Sequence, residues 1–448
     1  MRNADGVAPI LIFNAGSSSL KYEVIAANGH SVARGGVRRV GTDQALREST
    51  AGDGPLRATT EPCADHAVAA AWAVADLREA VSSALDEVVA VGHRVVHGGP
   101  RLWQPTVIDG DVMTELTRVA ELAPLHNSPA LATIEAARDL LPGVPHVAVF
   151  DTGFHHDLPA VAREYALPRS IVERFAIRRY GFHGISCQYL MRRIGELGIQ
   201  PAKRVILCHL GAGASITAVL DGRSIDTSMG FTPLEGLVMA TRVGTVDPGI
   251  GPFLERHAGL DADGVERLFE RESGLRGLSG RSGDYAELES LAAAGDRDAN
   301  FAIDVFAYRA RAYLGAYWAA LGGVDLIVFS GGIGENSADA RARILGPLDA
   351  VGWRLDPTAN ASGPPERRIN PNGATPAVWV IPTRESAEIA REVRLLMQQA
   401  IDRGRMPGIE PTAGSSRAGV SPTSRQIVGQ RGRTSPPLGS ARRARRGS

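Results

Sequence analysis

Ala8-Pro-Ile-Leu-Ile-Phe13-Asn14-Ala-Gly16-Ser17-Ser18-Ser19-Leu20-Lys21 carries an apolar run into a turn of small residues, and Leu20–Ala26 resumes as an apolar run that ends before Asn28-Gly29. An apolar strand, a tight turn, a second strand and an Asn-Gly hairpin signal make the chain open strand, turn, strand, turn, strand. The arrangement recurs about 195 residues later. There Arg204–His209 reads as a strand, Gly211–Ser215 as a small-residue turn, Ile216–Leu220 as a strand and Asp221-Gly222 as another hairpin. Segments 66–90 and 112–140 have helical periodicity, with Val88–Val96 and Pro145–Phe150 as short buried strands. Asp325–Ser330 and Val378–Pro382 read as further strands, the latter entering a helix Glu385–Arg403. The duplication predicts two α/β halves of similar topology facing one another across a cleft.

Composition narrows the function. A chain of 448 residues, 44% hydrophobic, has enough apolar material for a large core and favours two domains over one. Cys63, Cys187 and Cys208 are too few and too scattered for a disulfide scaffold or a structural zinc site, and fit a reducing cytoplasm. No apolar run approaches the ~20 residues of a membrane helix, and Asp5 interrupts any signal-peptide pattern, so neither secretion nor membrane insertion is expected. Lys+Arg and Asp+Glu are equal at 49 each, but residues 411–448 hold eight Arg and no acid, which leaves 1–410 at a net charge of −8. Such a body is no general nucleic-acid platform. Segment 407–448, rich in Ser, Pro, Gly and Arg, reads as a disordered basic tail, with an RNA-, lipid- or partner-binding arm as the alternative. Only Lys21 and Lys203 are lysines, and neither follows Gly or precedes Ser/Thr in a Walker A loop. GxGxxG and HExxH are absent too, and the eleven histidines form no zinc pattern.

Three loops follow apolar strands. Asn14–Lys21 gathers an amide, three hydroxyls and an ammonium, and reads either as a solvated turn or as a phosphate-facing loop. In the second reading Gly16 allows close approach, Ser17 and Ser19 donate to phosphoryl oxygens, Lys21 adds charge, and the Asn14 carbonyl holds a magnesium-bound water. His209–Ser215 and Ser330–Asn336 are the other two, and three together favour a nucleotide site between the halves. Arg94 ends a strand in Gly92-His-Arg94-Val-Val96-His97-Gly98-Gly99, and Arg242 sits among small and apolar neighbours; each needs an anion, whether substrate or an internal carboxylate. Asp151 closes the strand Val147–Phe150, where open α/β sheets place ligand-contacting groups. His183, between Phe182 and Gly184, is either presented to the cleft or a satisfied structural histidine. One acid, one imidazole and two guanidiniums suit phosphoryl transfer.

In order along the chain, Asn14–Lys21, His93–Gly99, Phe150-Asp151-Thr152, Arg179–Gly184, Asp226–Gly236, Gly331–Ser337 and Ile381-Pro-Thr383 resemble signatures of the acetate kinase family, in the superfamily that includes actin and the sugar kinases. The resemblance covers roughly residues 9–400. It implies an α/β fold of two actin-like (ribonuclease H-like) lobes with duplicated βββαβαβα topology and an interlobe cleft. Residues 1–151 plus 386–406 would form the N-terminal lobe, completed by the C-terminal helix, and 152–385 the C-terminal lobe. The implied reaction is reversible, Mg2+-dependent (Mn2+ as the alternative), in-line transfer of the ATP γ-phosphoryl group to acetate, giving acetyl phosphate and ADP, by a cytoplasmic homodimer. By the same resemblance Asp151, Arg94, His183 and Arg242 are catalytic, and Arg94, Val96, Leu125, Phe182 and Pro233 bind the acyl substrate. Ser17, Ser19, Lys21, His209, Leu210, Gly211, Ala212, Gly213, Asp284, Gly332, Ile333, Gly334, Glu335 and Asn336 bind the nucleotide. Asn14 and Glu385 match the magnesium-associated positions.

Four departures stand out. Ala212 replaces the family's Asn, a loss of ~0.5–1.5 kcal/mol for one net hydrogen bond. Ala286 stands where an Arg is usual, Val243-Gly244-Thr245 replaces Ser-Gly-Asp, and Arg384 places a cation beside Glu385, where it weakens magnesium or reaches phosphate. Retained chemistry with altered nucleotide affinity is the expectation. A propionate or butyrate kinase of the same fold, or a non-catalytic nucleotide-binding homologue, are the alternatives.

Overall fold

The computed structural model describes residues 8–52, 54–120 and 124–404, without the side chains of 124–126; the tail expected at 407–448 lies outside the described residues. Strands β1 (Ile10–Gly16), β2 (Ser19–Ile25), β3 (Ser31–Arg38), β4 (Thr42–Ala51), β5 (Arg57–Cys63), β6 (Ala90–Val95), β7 (Thr106–Val107) and β8 (His146–Phe150) form one sheet, ordered β5-β4-β3-β2-β1-β6-β8-β7. Strands β9 (Arg204–Leu210), β10 (Ala214–Leu220), β11 (Arg223–Thr227), β12 (Leu326–Ser330), β13 (Arg367–Arg368) and β14 (Ala377–Val380) form the second, ordered β11-β10-β9-β12-β14-β13. The centre of the first sheet, β3-β2-β1-β6-β8, repeats as β11-β10-β9-β12-β14 in the second. In both, an antiparallel meander precedes two strands that run parallel to its first strand. Both sheets belong to one compact unit.

The central strands form where the sequence is continuously apolar: β8 and β12 are buried at every residue, as parallel strands covered on both faces must be. The β4–β5 hairpin escapes a pattern-based reading because its residues are mostly exposed or half-buried, and an apolar alternation is missing. Segment 112–140 is two helices, Gly110–Ala120 and Pro124–Leu140. Pro124 sits in a first turn, where its missing N–H costs nothing, whereas in a continuous helix it would break the ladder. A helical block unassigned from sequence fills 250–321. Its longest member, Arg297–Leu321, buries Ala299, Ala302, Ile303, Phe306, Ala310, Leu314, Tyr317 and Leu321 at helical spacing in the core over the second sheet.

Helix Glu385–Asp402 returns to the first sheet, packing Ile389, Ala390, Val393 and Met397 against Ile10, Ile12, Val147 and Val149. Each fully buried aliphatic side chain of this kind contributes roughly 1.5–3 kcal/mol. The approach is close enough to require glycine in β6: a Cβ on Gly92 would lie 2.8 Å from both Ile12 and Ile389. Buried Glu388 on this helix accepts from Arg192 Nε at 2.9 Å and Arg391 Nη1 at 3.1 Å, tying it to the helix Gly184–Glu196. The helix thus spans the junction of the halves and delivers its first residue, Glu385, to the end of β1.

Candidate active site

The parallel register of β1 with β6 sets Asn14 beside Arg94, and that of β6 with β8 brings Asp151, one residue beyond β8, to the same edge. Arg94 donates through Nη2 to Asp151 Oδ2 and through Nη1 to Asn14 Oδ1 at 3.1 Å. Asn14 Nδ2 in turn donates to Glu385 Oε2 at 3.3 Å, with Arg94 Nε 3.9 Å from the same oxygen. Asp151 is fully buried, and its Oδ1 has no hydrogen-bond partner. Burial lifts its pKa to about 6, with Glu385 adding and Arg94 opposing, so the carboxyl is mostly ionised at neutral pH and protonates as pH falls through that value.

The second sheet supplies the facing wall. β12 runs beside β9 with Ser330 opposite His209, and the β9–β10 turn places Gly211–Gly213 at the cleft. His183 precedes the helix Gly184–Glu196 in a left-handed conformation (φ 56°), strain characteristic of a functional position. Its Nδ1 lies 3.0 Å from Ser215 Oγ and its ring stacks on His209 at 4.1 Å. His209 Nδ1 meets Ser186 Oγ at 2.8 Å, and that hydroxyl donates to Thr383 Oγ1 at 2.9 Å. Burial, reinforced for His183 by His209, Arg94 and Arg242, pushes both histidines below the usual range, so both are neutral imidazoles. A Cβ on Gly213 would lie 3.3 Å from His183 Nε2 and 3.6 Å from Arg242 Nη1, so this glycine keeps the loop against both.

Arg242 is held by protein groups. Its Nε lies 3.3 Å from Glu270 Oε2, and its Nη1 donates to Pro233 O at 3.3 Å. Glu270 is buried in a π-helical turn, Leu268–Glu272, and burial raises its pKa against the pull of Arg242. Nothing in the sequence pointed to it: Glu270 is one of several alternating charges, 28 residues from its partner.

These groups converge on one cleft of ≈ 950 Å³. From the first half it is lined by Asn14, Ser17, Ser19, Lys21, Arg94, Val96 and Asp151, and from the second by Phe182, His183, His209, Gly211–Gly213, Pro233 and Arg242. Gly332, Glu335 and Glu385 complete it, and Met229, which the sequence reading passed over, joins Val96, Phe182 and Pro233 in the apolar part. Not every expected residue reaches the cleft wall. Leu210, Ile333 and Gly334 are buried beneath it. Asp284 caps the helix Tyr285–Ala293 by accepting from Ala286 N and Glu287 N, and Asn336 Nδ2 donates to Gly332 O. The side chain of Leu125 lies outside the described residues.

The third loop is a correction: Gly331–Asn336 is a short helix. Gly331, at φ 75°, turns the chain out of β12, and buried Arg341 donates to the carbonyls of Gly334 and Glu335. Glu335 Oε1 accepts from Gly331 N at 2.8 Å and Thr383 N at 3.1 Å, so this carboxylate holds the turn to the segment leading into Glu385.

Among the described residues no group of three or more His, Cys, Asp or Glu forms a cage for a metal ion. The oxygen donors present are the Glu385 carboxylate, the Asn14 amide oxygen, already accepting from Arg94, and the orphaned Asp151 Oδ1. That set fits magnesium, which keeps several waters and shares its ligands with substrate phosphates. Arg384 lines the cleft beside Glu385 and stands at the N-cap of its helix with no side-chain cap. Arg384→Asn is therefore expected to stabilise the protein by about 1 kcal/mol through a restored cap and to lower the magnesium concentration giving half-maximal rate. Thermal melts and a magnesium titration check the two effects separately.

The model of the Acetokinase family matches residues 9–391. An acetate kinase from Methanosarcina mazei is 42% identical over 398 residues, 88% of this chain and 98% of its own length. Among solved structures, the acetate kinase of Porphyromonas gingivalis is similar with a TM-score of 0.79 at 36% identity, over 87% of this chain and 100% of that one. A propionate kinase from Francisella tularensis subsp. tularensis is similar with a TM-score of 0.80 at 36% identity, over 86% and 99%.

Proposed function

The chain belongs to the acetokinase family, and from that premise we propose that it transfers the γ-phosphoryl group of ATP directly to acetate, reversibly, giving acetyl phosphate and ADP. The fold is the α/β architecture of two actin-like lobes implied by the duplicated strand order. The observation that carries the reaction is the convergence of Arg94, Asp151, His183 and Arg242 on one cleft beside a small apolar recess. In this reading residues 1–151 with 386–406 form one lobe and 152–385 the other, and the enzyme is a homodimer, for which light scattering is the check.

The carboxylate acceptor and the nucleotide phosphates are both anions, so bringing them together is opposed by charge, and cations at the meeting point lower the barrier. Arg94 orients the acceptor carboxylate while Asp151 and Asn14 hold its guanidinium plane. Arg242, fixed by Glu270 and Pro233 O, faces the equatorial oxygens of the transferring group. His183 donates from Nε2; in that tautomer Nδ1 accepts from the Ser215 hydroxyl 3.0 Å away, which holds the ring. Ser17, Ser19 and Lys21 meet the phosphate chain, and Gly211–Gly213 with Gly332 pass close to the nucleotide. Magnesium would be held by Asn14, Asp151 and Glu385 and would supply charge neutralisation at the nucleotide phosphates. Val96, Phe182, Met229 and Pro233 receive the acyl methyl.

A second reading, propionate as preferred acceptor, is favoured by one observation: the propionate kinase structure is as similar as the acetate kinase one. A methylene in such a recess discriminates by ~1–3 kcal/mol. Synthesis of ATP from ADP and acetyl phosphate, followed by luciferase light, is expected from the purified chain; light only with propionyl phosphate would favour the second reading.

A further inference from the structure

The loop that carries Met229 and Pro233 into the cleft is anchored by polar and charged groups that do not line the cleft themselves. Arg179 Nη1 donates to three consecutive carbonyls, Thr227 at 3.0 Å, Ser228 at 3.3 Å and Met229 at 3.1 Å. Its Nη2 donates to Glu235 Oε1 at 2.7 Å, so one guanidinium fastens the loop both before Met229 and after Pro233. Glu235 Oε2 accepts from the Tyr165 hydroxyl, and the Tyr165 oxygen accepts from Phe231 N at 2.9 Å, fixing the loop's middle. Gly230 runs directly over this cluster, and a Cβ there would collide with both the Glu235 carboxylate and the Tyr165 hydroxyl. Tyr180 N donates to Gly230 O at 3.0 Å, joining the loop to the segment that bears Phe182. Among the described residues around the apolar recess, Phe182, Met229 and Pro233 therefore ride on one hydrogen-bonded unit, and Val96 lies outside it.

We propose that Arg179, Glu235 and Tyr165 determine acyl-chain specificity, by pinning Met229 and Pro233 at the depth that admits acetate and crowds a longer acid; this rests on the carboxylate kinase reading of the cleft. Mere support for the loop would not call for an ion pair, since apolar packing of similar volume supports a loop at least as well. Directional bonds to three successive carbonyls fix position, and position is what a recess differing by one methylene must control. The same unit touches the chemistry: Pro233 O accepts from Arg242 Nη1 at 3.3 Å. Relaxing the loop enlarges the recess and at the same time loosens Arg242, so acetate loses rate while propionate loses less or gains.

The test is steady-state kinetics with acetate and propionate, ADP release being coupled to NADH oxidation, on the wild type, Tyr165→Phe and Glu235→Gln. Tyr165→Phe removes one hydroxyl and keeps the ring. The ratio of kcat/KM for propionate over acetate is expected to rise about threefold in Tyr165→Phe and about tenfold in Glu235→Gln, a partial loss of the roughly 10–200-fold that one methylene commands. KM for ATP is expected to stay at the wild-type value, because the nucleotide loops lie on other elements. An unchanged or lower ratio in both variants, or losses shared equally by both acids and ATP, would overturn the proposal. Should Glu235→Gln fail to fold, Tyr165→Phe decides alone. A wild type inactive with both acids sinks the kinase reading, and this proposal with it; an active wild type with insensitive variants sinks this proposal only.

Discussion

Arg242→Ala lowers kcat for acyl phosphate formation by about 10³-fold or more, the scale set by a guanidinium that stabilises the transferring phosphoryl group. The contacts Arg242 makes with protein groups hold its side chain in position. Nε meets Glu270 at 3.3 Å, Nη1 meets Pro233 O, and the same nitrogen lies beside the Gly213 loop. Protein groups thus fix the guanidinium, and its loss is expected to appear in kcat more than in the KM of either substrate. Arg242→Lys is expected to recover little, because one ammonium cannot reach both Glu270 and Pro233 O while facing the cleft. Single-turnover measurement of acyl phosphate in both variants checks this, and a wild-type kcat in Arg242→Ala would remove the residue from the chemistry.

Arg94→Ala has a second large effect, on stability as well as rate. Asp151 is fully buried, and Arg94, whose side chain is only 14% exposed, is its ion-pair partner. Removing the cation leaves a buried carboxylate uncompensated, a loss of about 3–5 kcal/mol at neutral pH. The sign of the pH dependence follows. Burial already lifts Asp151 to about 6 with Arg94 present, and without that opposing charge the pKa rises further above its unfolded value. A raised carboxyl pKa means the folded state prefers the protonated acid, so the ionised form is penalised at higher pH and relieved as pH falls. The stability gap between wild type and variant is therefore expected to narrow between pH 7 and pH 5 in denaturant titrations. A gap that widened toward low pH would mean that Asp151 depends on another partner.

Much of this was legible before the structure, and the reasons are local. The central strands announce themselves as apolar runs ended by Asn-Gly, Asp-Gly or Gly-rich turns, which is why β1, β2, β9, β10, β12 and β14 and their duplication could be read. Strand register carries the motif residues Asn14, Arg94 and Asp151 to one edge of the first sheet and sets His209 opposite Ser330 in the second, and the packing of the two sheets brings both groups to one cleft. What failed lacked such signals. β4 and β5 are mostly exposed or half-buried; Gly331–Asn336 looked like a loop because its helical turn is closed from outside by Arg341; and Glu270 reaches Arg242, and Met229 the cleft, through tertiary packing that spacing does not encode. Asp284, expected as a nucleotide contact, uses its Oδ1 to cap a helix, a role its position in the sequence did not display. The Arg179–Glu235–Tyr165 unit was invisible for the same reason: its three members are joined across 70 residues of chain by side-chain hydrogen bonds no sequence pattern displays.

The most direct measurement is hydroxamate trapping of acyl phosphate formed from ATP and magnesium with acetate, propionate and butyrate, using Arg242→Ala as control. Strong signal with acetate, weaker with the longer acids and absent in the variant, is the predicted result. ATP binding without acyl phosphate from any of the three acids would contradict the account and leave a protein that holds nucleotide in this cleft without transferring its phosphoryl group.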